Sequence, residues 1–246
     1  MKTLVTRYDK KNIGGLPTIQ FQGRIIVIQS KEEAKKAVDY LLSQKIIGID
    51  TETKPVFKKG AGMNKVALLQ VSTDDTCFLF RLNHIGFTDD LVRLMSDEKV
   101  VKVGLSLKDD FMQLNRRKAF TAGKYAELQT MVKEMGIADQ SLQKLFANFF
   151  SKKISKSQQL SNWETDVLSE SQKKYAATDA WACVKLYEEI QRLESTGYML
   201  EIIPDPNAIT PQQSGVQENN PTSNRMKDSK KTRRNDLSRR RIKPAI

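Results

Sequence analysis

The chain has 246 residues, 39% hydrophobic and 28% charged, enough for one domain with a real core plus an appendage. No apolar run approaches the roughly 18–20 residues of a membrane-spanning helix, and the N-terminus (MKTLVTRYDKKNIGG) lacks an apolar signal core, so an intracellular location is expected, cytoplasmic or nucleoid-associated if bacterial. The formal net charge of +12 points to a polyanionic partner, provided the surplus lies on the folded part.

In chain order, Arg24–Gln29 (RIIVIQ) is a short Ile- and Val-rich run and predicts a strand. Ser30 with Glu33 three residues later is a capping-box pattern, which opens a helix through Leu42. Ile46–Thr51 (IIGIDT) predicts a central strand. Val66–Val71 and Cys77–Leu82 flank the turn-rich Ser72–Thr76 and predict a hairpin. Val100–Val103 begins a further strand, Lys108–Arg116 forms a helix, and Gln140–Phe150 carries a helical apolar pattern. Glu170–Leu193 predicts a long amphipathic helix, with Tyr175, Ala176, Cys183, Leu186, Tyr187 and Ile190 on or near one face. Cys77 and Cys183 sit among apolar neighbours and read as core residues. His84, the single histidine, is expected in a loop, without a function.

From about Pro204 the composition turns to Pro, Asn, Gln and Ser, then to a basic stretch. Residues 204–246 hold ten Lys/Arg against four Asp/Glu, half of the chain's whole surplus. Too little apolar surface is present there to offset the entropy of ordering, so a disordered basic tail is expected, either a solvated extension or an arm that binds phosphates. Residues 1–203 read as one α/β domain with its core at about 20–195, a mixed sheet with helices packed on it.

Three acidic positions stand out against their surroundings. Asp50 and Glu52 close the strand that starts at Ile46, and a strand period of two puts both carboxylates on one face. Side by side at the end of a buried strand they repel each other unless a cation lies between them, and Mg²⁺ and Mn²⁺ favour such oxygens. A solvated strand end is the plainer reading of Asp-x-Glu alone. Asp110 follows a strand and opens a helix, where the helix dipole equally explains it and its neighbour Asp109. Tyr175 and Asp179 lie one helical turn apart among Ala176, Ala177, Ala180 and Ala182, small residues that let the helix approach another element closely. A buried Asp in such a helix needs a partner.

Taken together, IIGIDTETKP, KVGLSLKDDFMQL and YAATDAWA resemble the three motifs of the DEDD superfamily of 3′-5′ exonucleases. VALLQVST and LSNWE resemble the subgroup that contains ribonuclease D and the exonuclease domain of the Werner syndrome protein. The resemblance covers most of residues 20–195, and Tyr175 rather than a histidine in the third motif places it in the Tyr branch. It implies a ribonuclease H-like mixed sheet of five to six strands with helices on both faces. It also implies a site of Asp50, Glu52, Asp110 (not Asp109) and Asp179 holding two Mg²⁺ or Mn²⁺ ions. Tyr175 would orient the attacking water, and the implied substrate is the 3′ end of DNA or RNA. Substrate contacts are expected from Thr51, from Phe57, Lys58 and Met63 in the loop after the first motif, and from Trp163, which has an alternative as a core anchor. The rival readings are a catalytically weak nucleic-acid-binding module of the same fold and a small-nucleotide hydrolase. A dinucleotide-binding fold is disfavoured, because no G-x-G-x-x-G follows a strand.

Overall fold

The computed structural model describes residues 1–57, 62, 64–205 and the backbone of 239–242. In chain order the elements are β1 (Lys2–Val5), a 3₁₀ turn (Lys10–Ile13), β2 (Thr18–Ile19), β3 (Arg24–Ile28), α1 (Lys31–Leu41), β4 (Ile46–Thr53), β5 (Val66–Ser72), β6 (Thr76–Arg81), α2 (Leu82–Ile85) and α3 (Asp89–Ser96). There follow β7 (Val101–Gly104), α4 (Leu107–Asn115), β8 (Tyr125–Glu127), α5 (Leu128–Glu134), α6 (Leu142–Phe150), β9 (Lys153–Ile154), α7 (Glu170–Thr196), β10 (Tyr198–Glu201) and β11 (Arg239–Ile242).

The main sheet has six strands in the order β3-β6-β5-β4-β7-β8. The expected hairpin β5–β6 is antiparallel, as is β4–β5, while β3–β6, β4–β7 and β7–β8 are parallel. Alternation along the strands loads both faces. Ile47 and Ile49 of β4 with Phe78 and Phe80 of β6 pack against α1, α3 and α4 on one face. On the other, Leu68, Cys77 and Leu79 meet Ala176 and Ala177 of α7. Val103 there joins a cluster with residues of α5, α6 and α7. The sheet is therefore a mixed α/β layer covered on both sides.

Local chemistry explains where the helices start. Ser30 and Glu33 close the expected capping box on α1 through bonds of 3.2 and 3.0 Å. Ser169 and Gln172 make a second one at α7, with the same two lengths. From that start α7 runs for 27 residues, about 40 Å, along the sheet. His84 lies in the short α2 rather than in a loop, its Nε2 3.3 Å from the Arg81 guanidinium. Both cysteines are free and buried. Among the described residues no helix is long and apolar enough to cross a membrane. The expectation of a tail without regular structure is corrected at residues 239–242, which form β11, antiparallel to β10 in a small sheet with β1.

One contact fixes how α7 meets β4. A Cβ on Gly48 would stand 1.9 Å from the Ala180 carbonyl oxygen, so only glycine fits there. Replacing Gly48 with Ala should lower stability by about 1–3 kcal/mol through overpacking. A Gly15→Ala control, where a Cβ meets nothing within 4 Å, should shift it by less than about 0.5 kcal/mol. Urea denaturation of the two variants checks this, and equal midpoints would show that α7 can move away without cost.

Candidate active site

Gly48, Asp50 and Glu52 alternate with the core residues Ile47 and Ile49, so they face α7 while their neighbours face α4. The β4–β7 pairing stops at Gly48↔Val103, and the parallel strands diverge beyond it. Asp50 and Glu52 thus project into the crevice outside the carboxyl ends of two parallel strands, the usual place for ligands in such sheets. Across the crevice, α7 contributes Asp179. Carboxylate oxygens of Asp50, Glu52 and Asp179 all lie within 4.8 Å of one another. Among the described residues, no Lys or Arg forms an ion pair with any of them.

Asp110 comes from the first turn of α4 and stands beside this cluster. The Thr51 hydroxyl donates to its Oδ1 at 2.5 Å. Thr51, expected to touch substrate, therefore has its hydroxyl engaged with Asp110. Asp109 is exposed on the same turn. The chain enters α4 through Ser106 in the left-handed region (φ 59°), an uncommon conformation for a non-glycine residue. Glu127, at the end of β8, accepts hydrogen bonds from the backbone N–H groups of Ser106 (3.0 Å) and Leu107 (2.7 Å). Sequence reasoning missed Glu127, because its partners lie 20 and 21 residues away and no local pattern marks them.

Tyr175 lies in the same crevice, one helical turn before Asp179. Trp163 is fully buried behind it, ring centroids 6.0 Å apart. The expectation that Trp163 contacts substrate is thus corrected to its alternative: it is a core anchor that backs Tyr175. Phe57 is 80% exposed on the loop after β4. An ion pair of 3.4 Å between Lys54 and Glu164 ties that loop to the one before α7. Lys58 and Met63 lie outside the described residues.

The acids open into a cleft of about 340 Å³ whose further wall includes Ser106, Gln129, Gln143, Ser155 and Gln159. Lys156 is the only cation among the described residues that line it. Burial pushes Asp50 up to about 7. Burial, then the charges of Asp50, Asp179 and Asp110, push Glu52 up to about 10. Asp110 and Asp179 are held well above the ordinary carboxylate range, by burial first and by Asp50 second. Burial and the charges of Asp179 and Glu52 drive Tyr175 far above its usual range, so it stays neutral. Crowded, desolvated carboxylates facing a cleft are the chemistry of a divalent cation site, because hard oxygens gain most from a cation that removes their repulsion.

The structure is a ribonuclease H-like α/β domain whose carboxylates gather at the end of the central strand β4 and on the flanking helices α4 and α7. More narrowly, the chain belongs to the 3′-5′ exonuclease family, whose model matches residues 25–193. It is 29% identical over 192 residues to a 3′-5′ exonuclease of Arabidopsis thaliana, covering 72% of this chain and 67% of that protein. It is 27% identical over 197 residues to the mouse bifunctional 3′-5′ exonuclease/ATP-dependent helicase WRN, covering 76% of this chain but only 14% of that much longer protein. Among solved structures, the EXO domain of Aedes aegypti Nibbler superposes with a TM-score of 0.65 at 21% identity, over 71% of this chain and 92% of that one. Escherichia coli RNase D gives 0.60 at 18% identity, over 70% and 46%.

The raised acids predict a pH dependence. A carboxyl group whose folded pKa exceeds its unfolded value, near 4, holds its proton more tightly when folded. Stability of the metal-free protein is then greatest in acid and falls as pH rises through about 7 to about 10, the values for Asp50 and Glu52. Thermal unfolding in EDTA should give a lower Tm near pH 9 than near pH 6, and Mg²⁺ or Mn²⁺ should recover it. The Asp50→Asn, Glu52→Gln double variant should flatten the profile; an unchanged slope would place its origin elsewhere.

Proposed function

We propose that this chain is a metal-dependent exonuclease that removes nucleotides from the 3′ end of DNA or RNA, using two Mg²⁺ or Mn²⁺ ions. The observation that carries the reading is the cluster of Asp50, Glu52 and Asp179, three carboxylates within 4.8 Å with no cationic side chain paired to them among the described residues. Asp110, beside them through Thr51, supplies a fourth acid. When bound, divalent cations there would offset negative charge on the attacking and leaving oxygens of an in-line displacement. The water oxygen bonds to phosphorus, the bond from phosphorus to the 3′-oxygen breaks, and that oxygen takes up the proton. The product is a nucleoside 5′-monophosphate.

The chain's own groups have separable roles. Tyr175 is neutral and lines the cleft one turn from Asp179, so it orients the water rather than deprotonating it. Lys156, the cation on the cleft wall, meets the substrate phosphate. Phe57, exposed beyond the cleft, offers a ring face to a terminal base. Metal-site chemistry is indifferent to the 2′-hydroxyl. Relatives are named on both sides: Trypanosoma brucei RNase D is solved with RNA U12, and DNA polymerase I of Aquifex aeolicus is 27% identical over 166 residues.

Digestion of 5′-labelled single-stranded DNA and RNA in Mg²⁺, Mn²⁺ or EDTA tests the reading. A ladder shortening from the 3′ end, lost in EDTA and in Asp50→Ala, is expected, whereas a ladder that survives EDTA would overturn it. Binding without cleavage would favour a weak binding module instead.

In the same assay, Tyr175→Phe should lower kcat on the order of 10²-fold. Lys156→Ala should raise KM more than it lowers kcat, as loss of uniform phosphate binding does. Full activity of Tyr175→Phe at saturating metal would remove Tyr175 from the mechanism.

A further inference from the structure

Gln70 lies within β5, fully buried, and among the described residues neither the Oε1 nor the Nε2 of its amide has a hydrogen-bond partner. An amide left unpaired in a core carries a desolvation cost that a leucine or methionine there would not. In the β4–β5 ladder Gln70 stands directly opposite Asp50. Directly opposed residues share a face, with Cβ atoms about 4.5–5.5 Å apart. That face is the one under α7. Gly48, two residues before Asp50, abuts Ala180, and Leu68, two residues before Gln70, packs with Ala176 and Ala177. On the β6 side Gln70 is opposite Leu79, which is apolar and buried. Of the two side chains that flank Gln70 across the ladder, the Asp50 carboxylate is the one able to accept a hydrogen bond.

We propose that Gln70 is a positioning residue for Asp50: with a divalent cation in the site, its amide N–H donates to the Asp50 carboxylate and fixes the orientation in which that group holds the ion. This rests on the metal-site reading above. A ligating carboxylate is normally oriented by a further hydrogen bond, and removing such a partner typically weakens metal binding 10–100-fold. The amide is therefore a cost to the apo fold that is recovered when the site is filled.

The test measures Mn²⁺ binding by the electron paramagnetic resonance signal of the free ion, together with Tm in EDTA. The full chain is compared with Gln70→Leu, Gln70→Met and Asp50→Ala. Both Gln70 variants should bind Mn²⁺ on the order of 10-fold more weakly, while their Tm in EDTA equals or exceeds that of the wild type. If the wild type binds Mn²⁺ and both variants bind it equally well, the proposal is overturned and the site reading stands. If both variants melt lower in EDTA, the amide serves the apo fold and the proposal is again overturned. If the wild type binds no more Mn²⁺ than Asp50→Ala, the metal-site reading itself falls, and this inference with it.

Discussion

The site depends on one steric fact: α7 lies against β4 with no side chain between them at Gly48. The Ala180 carbonyl occupies the space a Cβ would fill. One residue back along α7, Asp179 is thereby brought to the same crevice as Asp50 and Glu52. The approach forces like charges together in a partly desolvated place, which raises all of their pKa values. Such an arrangement persists in a marginally stable domain only if something offsets it, either protons or a divalent cation. The same close packing that makes the fold compact therefore makes the site retain protons or take up a cation.

The second half of the site is set by how β4 and β7 part. Their pairing ends at Gly48↔Val103, and the chain turns through the left-handed Ser106 into α4. Glu127 caps that turn with two backbone hydrogen bonds from the end of the neighbouring strand. The result is a helix whose first turn aims Asp110 at Thr51, on the far side of β4 from Asp179. Two opposite faces of one strand thus contribute to one crevice. Thr51 links them through the hydrogen bond that its hydroxyl gives to Asp110.

Much of this was legible in the sequence, and the exceptions have physical causes. Asp-x-Glu on a strand and Tyr-x-x-x-Asp on an alanine-rich helix fix side-chain direction by periodicity alone, and the structure places them as the periods require. Composition could not decide between Asp109 and Asp110, since the helix dipole favours both; burial separates them. The short strands β1, β2 and β8 to β11 carry two to four residues each and depend on tertiary pairing, so no local pattern marks them. Gln70 is hidden inside the run VALLQV, where its neighbours signal only a strand. Trp163 has a side chain suited either to stacking on a base or to filling a core, and only the observed burial distinguishes them. Expecting no regular structure beyond Pro204 overlooks β11, because a basic segment can pair its backbone with an edge strand whatever its side chains.

Charge is divided in a way that separates attraction from chemistry. The chain carries a surplus of twelve positive charges, half of it beyond residue 203. The cleft, by contrast, is lined by several acids and, among the described residues, one lysine. A polyanion drawn in by the distributed surplus would meet, in the cleft, acids whose charge is offset by protons or by bound cations. Association with substrate should then follow ionic strength, as distributed charge does. Cleavage should follow occupancy of the acidic cluster, which salt screens far less because the groups are close and partly buried. The net charge is thus evidence about encounter, and the four carboxylates are evidence about reaction. Neither can substitute for the other in explaining what this surface does to a nucleic-acid end.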